Sequence, residues 1–123
     1  MPAKIILLID DDPSVTTLLA SQLDTVEGIK SNAINDPKLA LSTARTVQPD
    51  LIVCDIDMGA TDGGSVAFAL RNDPKTEGIP ILFLSSMVTQ DDMGETAHGY
   101  MMISKKIGFV KILAIILEKV SRP

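Results

Sequence analysis

A chain of 123 residues is the size of one domain with one well-packed core. Apolar residues make up 46% of it and aromatic ones only 3%, so the core must be mostly aliphatic, and a formal net charge of −5 argues against direct nucleic-acid binding, where a basic face is expected. The single cysteine, Cys54, excludes an internal disulfide and points to a reducing, cytoplasmic compartment, while no N-terminal signal pattern and no apolar run near the ~20 residues of a membrane span is present.

The elements alternate along the chain. KIILLID, residues 4 to 10, is a short continuous apolar run, as expected for a strand buried on both faces. It ends in three aspartates, Asp10, Asp11 and Asp12, whose like charges call for a cause. Asp12-Pro13 reads as an N-cap followed by proline at the first helical position, and Val15, Leu18, Leu19 and Leu23 follow at helical spacing. GIKSNAI is a weaker strand. Asp36-Pro37 repeats the cap signal and opens a second helix to about Thr46. LIVCD, residues 51 to 55, is another buried strand, with Cys54 in the core. The loop GATDGG leads to a helix near Ser65 to Asn72, and IPILFLSS is the fourth strand. TQDDMGETAHG predicts a short, poor helix interrupted by Gly94, with Asp91 and Asp92 at its acidic start and His98 on the surface. MMIS is the fifth strand, and a long helix runs from about Gly108 to Val120. Five strands alternating with five helices predict a parallel α/β sheet covered on both faces, with right-handed crossovers.

In such sheets ligands bind at the carboxyl ends of the strands. Four ends here carry polar chemistry: Asp10 and Asp11, then Asp55, then Ser85 and Ser86, then Lys105. Clustered carboxylates with a hydroxyl and a lysine suit a hard divalent cation, Mg²⁺, and a phosphoryl group. An aspartate can accept the phosphate covalently, and Lys and Ser can hold its oxygens.

Over essentially its whole length the chain resembles the receiver domain of bacterial two-component response regulators. The paired acid after the first strand is matched in LLIDDDP, the acceptor aspartate in PDLIVCDIDMG, the hydroxyl residue in PILFLSS and the lysine in MMISKK. The resemblance implies a flavodoxin-like doubly wound (βα)5 fold with strand order 2-1-3-4-5. It implies that Asp55 is the phosphoacceptor, assisted by Ser85 and Lys105. Asp11 and Asp55 would bind Mg²⁺ directly, Asp10 largely through water, and Asp57 through its backbone carbonyl. Asp12 is then the helix cap rather than a ligand. The partners implied are a histidine kinase or phosphotransfer protein and an unnamed downstream protein. Residues 1–123 are expected to form one receiver domain with no output domain, and to be a switch rather than an enzyme beyond self-phosphorylation and self-dephosphorylation at Asp55.

The sequence departs from the family pattern at several points. Gly59 stands for the usual proline after the acidic loop, and Ser86 for the usual alanine. Met102 takes the aromatic switch position, with Tyr100 two residues early but expected on the same side of the strand. Lys106 replaces a proline whose preceding bond is usually cis; a non-proline cis bond costs about 2.5–4 kcal/mol, so Lys105–Lys106 is expected trans. In the last helix Phe109, Ile112, Leu113, Ile116 and Val120 share one face, widened by Val110 and Leu117, while Ile115 falls among Lys111, Glu118 and Lys119. That wide apolar arc predicts a partner or homodimer surface. Two rival readings remain. One is a phosphate-independent interaction module. The other is a haloacid-dehalogenase-type phosphatase, suggested by Asp55-x-Asp57, although the acidic pair of that family follows its lysine and here it comes first.

Overall fold

The computed structural model describes residues 3–56, 63–86, 93–95 and 100–121. Among these, six strands form one sheet: β1 (Lys4–Ile9), β2 (Ile29–Ile34), β3 (Leu51–Asp55), β4 (Ile81–Ser85), β5 (Gly94–Glu95) and β6 (Met101–Ser104), in the order β2-β1-β3-β4-β6-β5. The first five positions are parallel and give the expected 2-1-3-4-5 arrangement, β6 being the fifth parallel strand. The helices are α1 (Pro13–Leu23), α2 (Ala40–Val47), α3 (Gly63–Arg71) and α4 (Phe109–Ser121). None of the described helices is long and apolar enough to cross a membrane.

Successive strand residues point to opposite faces, and the burial follows that period. Ile6, Leu8, Leu51, Val53, Leu82, Leu84 and Ile103 meet α1 and α4 through Leu19, Leu23, Ile112, Ile116 and Val120. Leu7, Ile9, Ile52, Cys54, Ile81 and Phe83 meet α2 and α3 through Ala40, Ala44, Val66, Ala67 and Leu70. Each fully buried Leu or Ile contributes about 2 kcal/mol of transfer free energy. Both faces of β3 and β4 are thereby filled, which is why their sequences are unbroken apolar runs up to the terminal Asp55 and Ser85.

Four expectations need correction. Asp36 caps a single 3-10 turn, Pro37–Leu39, and the α-helix proper starts only at Ala40. No fourth α-helix is described between β4 and β6. Gly94 has φ +131, outside the helical region, and Gly94–Glu95 pair antiparallel with Met102 and Met101. Asp91, Asp92 and His98 lie outside the described residues. Ile115 lies beside Lys111, Glu118 and Lys119 as expected, but it is half-buried and packed against the core rather than on the side away from it. Val110 does not widen the packed stripe. It is 82% exposed, since two residues of helix turn it about 200° from Ile112. The Lys105–Lys106 peptide is trans, and Lys105–Ile107 form a 3-10 turn before Gly108, whose φ of +93 starts α4.

Candidate functional site

The register brings the polar strand ends to one rim. Ile9 pairs with Cys54, so Asp10 and Asp55 emerge level. Asp55 pairs with Leu84, placing Ser85 one residue beyond, and Ser85 pairs with Ser104, after which Lys105 follows. Carboxylate oxygens of Asp10, Asp11 and Asp55 all lie within 4.8 Å of one another. Asp10 and Asp55 are buried and Asp11 is exposed. An all-oxygen donor set of this kind fits Mg²⁺ or another hard cation. Ser85 is buried at the same rim. Asp57, the remaining predicted ligand, lies outside the described residues.

Lys105 reaches back across the rim. Its Nζ is 3.1 Å from Asp55 Oδ1 and 3.3 Å from Asp10 Oδ2. Burial works to lower the Lys105 pKa, but the hydrogen bond to Asp55 and the charges of Asp10 and Asp55 together raise it, so the ammonium is held charged. The Asp10 carboxyl is pushed from its ordinary 3.8 up to about 6. Burial is the main cause, the Asp12 N–H opposes it, the negative Asp55 adds to it, and Lys105 offsets part. A second positive charge at this rim would relieve the same strain. Cys54, just beneath, is buried and its thiol is pushed up to about 12, so it is a core residue and no nucleophile.

The third aspartate has a separate job, as expected. Asp12 Oδ1 accepts from the Ser14 N–H at 3.0 Å and the Ser14 hydroxyl at 2.7 Å, capping α1. Those bonds hold its carboxyl below the usual range. The Asp12 N–H in turn donates to Asp10 Oδ1 at 2.9 Å. Sequence reasoning missed two neighbours. Asn35 Nδ2 donates to the Asp10 carbonyl and to Thr16 Oγ1, both at 2.8 Å. The available signal for Asn35 was its place just past β2, at the same end of the sheet.

Beside the rim, Tyr100 and Met102 do share a side of the sheet. With Ile56, Ala67, Phe68 and Phe83 they line an apolar groove of about 420 Å³ between α3 and β6. The Tyr100 ring meets Phe83 edge-on at 5.2 Å, and the Arg71 guanidinium lies 4.7 Å from its centroid.

Comparison with known proteins bears on the family and the fold. The family described as the response regulator receiver domain matches residues 6–117. The DNA-binding dual master transcriptional regulator RpaA of Synechocystis is 36% identical over 90 residues, which cover 67% of this chain and 34% of that protein. Protein RcaC of Microchaete diplosiphon is 28% identical over 124 residues, covering 99% of this chain and 19% of that protein. The chain thus spans about a third or less of the length of these relatives. Among solved structures, the chemotaxis response regulator CheY4 of Vibrio cholerae superposes with a TM-score of 0.78 at 22% identity, covering 96% of this chain and 98% of that one. The receiver domain of the Francisella response regulator 1452 gives 0.79 at 22% identity, covering 97% and 98%.

Proposed function

The chain belongs to the response regulator receiver domain family, and from that premise we propose that it is a phosphorylation-dependent switch with Asp55 as the phosphoacceptor. Receiver domains are signalling domains rather than turnover enzymes, so the haloacid-dehalogenase reading drops away. The observation that carries the proposal is the convergence of Asp10, Asp11, Asp55 and Lys105 on one rim, with Lys105 Nζ 3.1 Å from Asp55 Oδ1.

In the proposed reaction a carboxylate oxygen of Asp55 attacks the phosphorus of a phosphohistidine on a kinase or phosphotransfer protein. The new O–P bond forms as the N–P bond breaks, and the imidazole leaves with the bonding pair. Mg²⁺, when bound, offsets the charge of the carboxylates and of the phosphoryl oxygens. Asp10, Asp11, Asp55 and the backbone carbonyl of Asp57 would hold it. Lys105 exchanges part of its contact with Asp10 and Asp55 for a phosphoryl oxygen, and the Ser85 hydroxyl donates to another. That exchange is the local event that biases a two-state equilibrium. A downstream protein or output domain reads the change. Homodimerisation through α4 is one form of readout, and sedimentation with and without a phosphoryl mimic tests it. Val110→Lys is the suitable variant, since Val110 is exposed whereas Ile115 packs on the core.

Incubation with a small-molecule phosphodonor and Mg²⁺, followed by intact mass and peptide mapping, tests the central claim. One phosphoryl group on Asp55, absent from Asp55→Asn and absent without Mg²⁺, is the expected result. No labelling, or labelling elsewhere, would overturn it in favour of a phosphate-independent interaction module.

A further inference from the structure

The turn that carries Asp10, Asp11 and Asp12 is held from outside by two residues that take no part in the proposed chemistry. Asn35, just past the end of β2, uses its side-chain amide twice. One bond goes to the backbone carbonyl of Asp10, the other to Thr16 Oγ1, each 2.8 Å long. Thr16 is 2% exposed, and its hydroxyl donates onward to the Pro13 carbonyl at 3.2 Å. The Asp10 N–H is bonded to the Ile34 carbonyl at 3.2 Å, so the end of β2 and Asn35 just past it hold Asp10 on both its N–H and its C=O.

The Asp10 carbonyl belongs to the peptide plane that joins Asp10 to Asp11. Fixing that oxygen fixes the direction in which the Asp11 Cα leaves the strand. Asp11 is the exposed member of the carboxylate group. Its carboxylate nevertheless lies within 4.8 Å of the other two. We propose that Asn35 and Thr16 are positioning residues for the cation site, holding the Asp10–Asp11 peptide so that Asp11 is presented to the ion before it arrives. This rests on the cation-binding role proposed above. Outer residues that orient ligands commonly contribute 10–100-fold to metal affinity. Preorganisation is the reason, since a ligand already in place loses no conformational freedom on binding.

Variants at both positions test the inference, with Mg²⁺ itself as the probe. Asn35→Leu keeps the branching at Cγ and removes both donors. Thr16→Val removes the hydroxyl, while Thr16→Ser retains it. Mg²⁺ affinity is measured by titration on the folded, unphosphorylated protein. Hydrogen exchange of the Asp12 amide, which bonds to Asp10 Oδ1, is followed without metal. Asn35→Leu is expected to bind Mg²⁺ about tenfold more weakly and to exchange the Asp12 amide faster. Thr16→Val should shift both in the same direction, and Thr16→Ser should restore both. A purely structural role would lower stability but leave the affinity of the folded protein alone. Asp24→Ala is the control for that case, because Asp24 holds Ser31 by two hydrogen bonds between α1 and β2, away from the rim. If wild type binds Mg²⁺ and Asn35→Leu binds it equally well, the positioning role is wrong and the cation site stands. If wild type itself binds no Mg²⁺, the cation site falls, and the positioning role falls with it. Should Asn35→Leu fail to fold, equal affinities of Thr16→Val and Thr16→Ser would overturn the inference, and a gap between them would support it.

Discussion

The two faces of the sheet are built from the same strands but closed differently. On one face α1 and α4 lay Leu19, Leu23, Ile112, Ile116 and Val120 against Ile6, Leu8, Val53, Leu84 and Ile103. Large aliphatic residues meet large aliphatic residues there. On the other face α2 and α3 offer mainly small contacts, Ala40, Ala44 and Ala67, beside Val66 and Leu70. That closure stops at Phe83. Beyond it, toward β6, lies the apolar groove bordered by Phe68, which is 71% exposed, and by Tyr100 and Met102. The first face buries its large side chains under α1 and α4, and the second ends, among the described residues, in an apolar margin beside the candidate site.

Adjacent residues of β6 give the largest test of that contrast. Ile103 is fully buried on the first face, and Met102 is half-buried in the groove. Ile103→Ala should cost about 2–5 kcal/mol in chemical denaturation, the usual range for a large core truncation. Met102→Ala should cost about 1 kcal/mol, because a side chain half in water loses less transfer free energy and leaves no closed cavity. Equal losses would mean that the second face is as tightly closed at β6 as the first.

Next in size is the ion pairing at the rim. Lys105 supplies the nearby positive charge for two buried carboxylates. Lys105→Met should therefore lower the stability of the metal-free protein by on the order of 2 kcal/mol. Saturating Mg²⁺ should recover much of this loss, because the ion binds the folded carboxylates and not the unfolded chain. Thermal denaturation with and without Mg²⁺ checks it. A loss of the same size in both conditions would separate the stability role of Lys105 from the cation site.

The chemistry of this rim was more legible than its support. The acids, Ser85 and Lys105 sit at the ends of unmistakable apolar runs, and a strand end is a place as well as a boundary. Asp12-Pro13 was legible for a local reason, since a cap acts within three residues. Asn35 was not, because its partners are 19 and 25 residues away and depend on the β1–β2 register. The β5 pairing was hidden in a different way. A two-residue strand has no period to detect, and Gly94 reads equally as a helix breaker or an edge residue. Ile115 was legible only in part, since a helix position among charges can still pack against the core along its flank.

The second face is also held by a polar latch, equally invisible in sequence. Arg45 on α2 donates through Nε at 2.7 Å, and also through a terminal nitrogen, to Asp73 Oδ2 in the turn after α3. The Arg45 side-chain bonds, and then the Lys75 N–H, hold the Asp73 carboxyl below its usual range. A depressed folded pKa stabilises the protein above the unfolded carboxylate value, near 3.9. That contribution is lost as pH falls through the lower folded value. Asp73→Asn should thus be less stable than wild type at neutral pH, and the gap should narrow steadily below about pH 4. Denaturation midpoints of the two proteins across pH 2–7 give the comparison; a pH-independent gap would assign the loss to packing instead.

The smallest effect expected lies at the open margin itself. The Arg71 guanidinium lies over the Tyr100 ring, 4.7 Å from its centroid, while Phe83 meets the same ring edge-on at 5.2 Å and 74°. An edge-to-face pair and a cation over a ring face are both favourable to the aromatic quadrupole. Together they tie the entry of β6 to α3 across the groove, which no described helix covers. Arg71 is exposed, so its share should be only about 0.5–1 kcal/mol. Single substitutions would mix this with lost area and with the other contacts of Tyr100. A double-mutant cycle of Arg71→Gln and Tyr100→Leu isolates the pair. A coupling of about 0.5–1 kcal/mol, falling little with salt because the ring carries no net charge, is the expected outcome. Coupling near zero would remove Arg71 from what holds the margin, and the contrast between the two faces would be sharper still.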